Sequence, residues 1–151
     1  MELERLREQL LEQHHQLKRL IRTAKRLSTR IDRGGPVAAS ARRLYQVLDE
    51  LNRSLQAHWQ YEEAVLPPIL WTIDAWGPER VARMERAHRA EHRAMSGAMQ
   101  TASAAAGPKK LATAARAMAE ELIAHIDDEE RHLIGHHVLT YEIIRVDQPT
   151  D

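Results

Sequence analysis

The sequence contains no cysteine and no phenylalanine. Without thiols the chain cannot build disulfides, thiolate zinc sites, iron–sulfur clusters or cysteine nucleophiles, so any metal it holds must be bound by imidazole and carboxylate. The same lack fits a reducing compartment. With only three Trp and three Tyr, the core must be filled mainly by aliphatic side chains. No charge of one sign prevails, since 22 Lys and Arg balance 22 Asp and Glu. No face or terminus collects basic residues, which argues against nucleic acid as a partner. Nowhere do about 18 apolar residues run together, so no membrane span is expected, and the opening MELERLREQLLEQ is too charged for a signal peptide. The expectation is a soluble, cytoplasmic protein.

Glycine and proline are also sparse, six of each, and most of them fall in clusters. Between the clusters Ala, Leu, Glu, Arg and Gln dominate, which predicts long helices. The first runs from about Glu2 to Asp32 and stops at Gly34, Gly35 and Pro36. The second starts near Val37, and Pro67 and Pro68 should end or kink it. The third begins at Gly77 and Pro78, and the fourth follows Gly107 and Pro108, proline being suited to a first helical turn. The apolar stripes are Leu3, Leu6, Leu10, Leu17, Ile21 and Ile31; Leu44, Leu48, Leu51, Leu55, Val65 and Ile69; Val81, Met95 and Met99; and Leu111, Met118 and Leu122.

Four amphipathic helices with short connections predict an all-α, up-down-up-down four-helix bundle. At 151 residues and 43% hydrophobic, the chain is long enough for one core, and residues 1–135 are read as one domain. Residues 136–151 form a short C-terminal extension, either a fifth helix or an arm that packs on a second subunit.

Histidine is what the chain has in excess, with nine. Burying a polar group without a partner costs about 1–3 kcal/mol in proteins and an unpaired charge more, yet every stripe is interrupted by ionisable residues. They are His14 on the first helix, His58 and Glu62 on the second, His88 and His92 on the third, and His125 and Glu129 on the fourth. Three helices carry their pair four residues apart, which sets both side chains on one face, a turn apart, where they can converge on one ion. A lone histidine or a single pair arises readily on an exposed helix. A set on each of four helices, in phase with the stripes, points to a shared metal site. His14 is preferred over His15 because Leu10, Leu11, Leu17 and Ile21 place it in the apolar arc, whereas His15 keeps company with Lys18 and Arg22. Glu85 is a candidate acceptor for a ligand imidazole, and Glu130 could also reach the metals.

Five imidazoles and two carboxylates exceed what one ion needs. Two ions bridged by Glu62, Glu129 and an oxo or hydroxo group use all of them and leave one position open for a small ligand. Removing the ions should weaken the fold, and more so as falling pH sets protonated imidazoles against one another.

HxxxE at His58–Glu62, HxxxH at His88–His92, HxxxE at His125–Glu129 and a preceding His14 resemble the hemerythrin-like, or HHE cation-binding, family. So does the run from Glu62 and Glu63 to Pro67. The resemblance implies a four-helix bundle around two non-haem irons, with His88, His92 and His125 on the saturated iron and His14 and His58 on the iron with the vacancy. It implies O2, peroxide or nitric oxide as ligand, in oxygen or redox sensing, iron handling or detoxification. One departure stands out: animal oxygen carriers usually place an Asp five residues after the fourth-helix histidine, whereas Asp128, Glu129 and Glu130 follow His125 here. Two other readings compete. A ferritin-like di-iron oxidase would use Glu85–His88 and Glu129–His132 but needs an inward Glu on the first helix. A helical interaction module with a pH-sensitive histidine core would need no metal.

Overall fold

The computed structural model describes residues 2–104, 106–135 and 138–139. Four α-helices make it up: α1 (Glu2–Asp32), α2 (Val37–Ile73), α3 (Gly77–Ser103) and α4 (Pro108–His132). Over most of their length the helices bury residues at alternating steps of three and four, although α2 steps by four twice at Glu62, Leu66 and Leu70. On α1 these include Leu10, His14, Leu17, Ile21 and Ala24, and on α3 they are Val81, Met84, His88, Glu91, Met95 and Ala98. On α4 the heptads Ala112, Ala119, Ile126 and Ala115, Leu122, Glu129 share the face. A 3.5-residue period is the signature of helices that stay in register along a shared seam. α1 packs on α2 and α4, α3 packs on α2 and α4, and α2 meets α4 only slightly across the diagonal. The chain is therefore an up-down-up-down four-helix bundle.

α2 does not end at Pro67 and Pro68, but continues through both to Ile73. The prolines deprive the carbonyls of Glu63 and Ala64 of their helical donors, and both of those residues are exposed, where water can serve instead. Leu66, Leu70 and Ile73, buried against Leu10, Val81, Met84 and Leu133, hold the last turns in place. Gly77 closes the turn into α3 tightly, because a Cβ there would run into the Leu70 carbonyl. Gly107 adopts φ 97°, a backbone conformation open to glycine, just before Pro108 starts α4.

The core falls into two apolar layers. The larger includes Leu17, Ile21, Leu51, Leu55, Met95, Leu122 and Ile126. The smaller is built on Leu10, Leu66, Met84 and Leu133. Between them each helix contributes polar side chains that are buried, namely His14, His58, Glu62, His88, Glu91 and Glu129. Val138 and Leu139 pack into the smaller layer. The rest of the 136–151 extension, and the choice between a fifth helix and an arm, lie outside the described residues. Among the described residues no helix is long and apolar enough to cross a membrane.

Candidate metal centre

The heptad phase turns His14, His58, Glu62 and Glu129 into one group. Each offers a ligand atom, and these atoms lie within 4.8 Å of one another. His14 Nε2 is 3.1 Å from His58 Nε2, 3.2 Å from Glu129 Oε1 and 3.4 Å from Glu62 Oε1. Glu62 faces two ways, for its Oε1 is 3.0 Å from His58 Nε2 and its Oε2 is 2.8 Å from His88 Nε2. Despite these short distances, Glu62 Oε1 and Glu129 Oε1 are buried with no donor aimed at them. Carboxylate oxygens left without donors in a buried layer call for a cation, and the nitrogen and oxygen donors suit iron, zinc, manganese or nickel.

The outer nitrogen of each ring is fixed. His14 Nδ1 lies 3.2 Å from Glu130 Oε1, His58 Nδ1 2.7 Å from Gln13 Oε1, and His88 Nδ1 3.0 Å from Glu63 Oε1. Each acceptor can hold a proton on Nδ1, which leaves Nε2 as the nitrogen that faces the centre and can take a metal once it carries no proton. Lys18 in turn holds Glu130, with its ammonium 3.1 Å from Oε2.

The charges are strongly coupled. Burial opposes the charge on His14, but Glu129, Glu130 and Glu62 outweigh it and raise the pKa to about 11. Burial opposes the charge on His88 too, and Glu62, then Glu63, raise its pKa to about 9. Burial alone would push Glu62 up, yet Glu129 and the three imidazoles hold it well below the usual carboxylate range. Glu129 is pushed well up, first by burial and then by the Glu62 charge facing it. Between the two carboxylates, Glu62 carries the charge and Glu129 the proton.

The hemerythrin HHE cation-binding domain matches the chain over residues 5–136. The chain belongs to that family. Among curated proteins nothing matches it, and among solved structures nothing matches either. Cation binding, the property in the family's description, agrees with the buried group of imidazoles and carboxylates.

Not every expected residue of this HHE chain reaches the group. His92 is exposed, with its ring edge-on to the Trp59 indole at 5.8 Å between centroids. His125 is partly exposed, and its Nδ1 stands 3.7 Å from Glu91 Oε1. The cause is the bundle's period. After His88 the buried phase steps by three to Glu91, and after Leu122 it steps by four to Ile126, so pairs read at a spacing of four drift off the seam. Glu85 is exposed as well, and Gln13, Glu63 and Glu130 serve as acceptors for the rings instead. No HxxxE or HxxxH motif marks Glu91 in the sequence, though Val81, Met84, His88, Met95 and Ala98 bracket it at heptad spacing. Open grooves of about 640 Å³, lined in part by Gln13, Arg19, Arg43 and His58, and about 900 Å³, lined in part by Trp59, Glu63, His88 and His92, lead from solvent toward the layer.

Proposed function

We propose that the chain holds two non-haem irons in its polar layer and presents them to O2, peroxide or nitric oxide, for oxygen or redox sensing, iron handling or detoxification. The observation that carries this reading is Glu62, whose two oxygens face different histidines, Oε1 toward His58 and Oε2 toward His88. A carboxylate so placed can bridge two ions. His14 and His58 would hold one, His88 and His125 the other, with Glu62 and Glu129 shared. His92 was expected beside them and would have to leave its exposed position to join. Membership of the HHE family favours iron over the other metals this donor set could take.

Bound irons would supply one-electron chemistry and a position open to a small ligand, as in an oxo- or hydroxo-bridged pair. The protein's part is to prepare the layer. Gln13, Glu63 and Glu130 fix the ring nitrogens, and His14 and His88 give up protons as metal takes their place. The apolar layers above and below keep bulk water away. A cytoplasmic location, favoured by the lack of cysteine, belongs to the same reading.

The ferritin-like alternative is disfavoured because Glu4, Glu8 and Glu12 of α1 are all exposed. A metal-free interaction module leaves the two inner carboxylate oxygens without donors. The test is anaerobic reduction of the iron-loaded protein followed by O2, peroxide and nitric oxide in turn, watched by absorption. A reversible spectral change with one of them supports binding or sensing, and reoxidation that consumes peroxide or nitric oxide supports turnover. No response to any of the three contradicts the proposal.

A further inference from the structure

We infer that Glu91 is a ligand of the second metal position, acting beside His125 where the sequence pattern points to His92. This rests on the two-iron reading above and names a residue of that site. Glu91 is only 2% exposed, and its Oε2 accepts a 2.6 Å hydrogen bond from Trp59 Nε1. Its Oε1 makes no hydrogen bond and faces His125 Nδ1 at 3.7 Å, the distance of a loose ion pair, and that nitrogen is likewise buried without a hydrogen bond. A single indole donor satisfies one oxygen but does not neutralise a buried carboxylate. The other oxygen and the facing imidazole nitrogen are a matched pair of ligand atoms.

The spacing suits a shared ion. Ligand atoms held at about 2.0–2.2 Å from one metal stand about 3 to 3.4 Å apart, so a 3.7 Å separation closes with a small side-chain adjustment. Position agrees with chemistry. Glu91 follows His88 in the buried heptad, between Met84 and Met95, and so belongs to the layer that holds Glu62 and Glu129. Trp59, next in sequence to His58, anchors the carboxylate from α2 and would keep it from turning outward as the site fills.

Glu91→Gln tests this with little change of shape, since the amide oxygen can still accept the indole proton while the ligating charge is gone. Iron bound per chain is measured after anaerobic loading with ferrous iron, alongside His92→Ala. The expected result is two irons for the unaltered chain and for His92→Ala, and about one for Glu91→Gln. Unchanged stoichiometry in Glu91→Gln overturns the inference. An unaltered chain that fails to take two irons instead removes the reading beneath it. If Glu91→Gln does not fold, anomalous diffraction at the iron edge from the unaltered loaded chain decides. A Glu91 oxygen at bonding distance from an iron supports the assignment, and a Glu91 carboxylate away from both irons overturns it.

Discussion

His14 Nε2 and His58 Nε2 meet 3.1 Å apart in the middle of the bundle, so only one of the two can carry a proton between them. Glu62 and Glu129 crowd the same point from α2 and α4. Protons and metal ions compete for this group. In this geometry Glu62 Oε1 and Glu129 Oε1 have no hydrogen-bond partner, and a cation between them would satisfy both.

His14 is fully buried and its neighbour His15 is exposed. His14→Ala should cost the protein one iron, whereas His15→Ala should leave iron content unchanged. Metal analysis of the two variants, loaded side by side, checks this. Equal losses would mean that the buried face of α1 does not govern ligation.

The metal-free protein should be most stable in mildly acidic solution. His14 and His88 have pKa values raised to about 11 and about 9 from 6.5. Their contribution is complete below 6.5 and is lost as pH rises toward those values. Glu129, also raised, adds to the loss at high pH, while Glu62, held low, sets the loss on the acid side. This reverses the expectation that protonated imidazoles would repel one another, because carboxylates surround them. Metal binding must displace these protons, so the stabilisation by iron should grow from pH 6 to pH 9. Thermal melts of metal-free and loaded protein across that range measure both trends, and a metal-free form that gains stability as pH rises would contradict them.

The residues holding the outer ring nitrogens should matter nearly as much as the ligands. Glu130→Ala removes the acceptor of His14 Nδ1 and should weaken iron binding about 10–100-fold. Glu120→Ala, which removes an exposed ion pair with Lys25, should leave it unchanged. Competition against a chelator of known affinity gives the ratio.

Much of this was legible in the sequence because glycine and proline mark three of the helix boundaries and a buried heptad carries the first two helices. Gly34, Gly35 and Pro36 closed α1, and His14, His58 and Glu62 fell in phase with leucines. Two features were not legible. Pro67 and Pro68 signal a stop, and only the burial of Leu70 and Ile73 by other helices explains why α2 runs on. On α3, the HxxxH spacing of His88 and His92 masks the step of three that makes Glu91 the buried residue. A spacing of four fits a lone helix, but the 3.5-residue period of a bundle depends on neighbours.

The apolar layers should support the fold without metal. Leu51 is fully buried in the larger layer, away from the polar group. Leu51→Ala should lower unfolding free energy by about 2–5 kcal/mol and still bind the full complement of iron. Chemical denaturation with metal analysis of the same sample separates the two effects, and loss of iron without loss of stability would contradict this division.

If the polar layer holds a pair of irons, the metal bound per chain will show it. Protein produced in iron-replete medium, or loaded anaerobically with ferrous iron, is to be analysed for iron and zinc against protein concentration. About two irons per chain are expected, with an absorption band in the near ultraviolet after oxidation. A value near one, or zinc alone, would contradict the paired-iron reading.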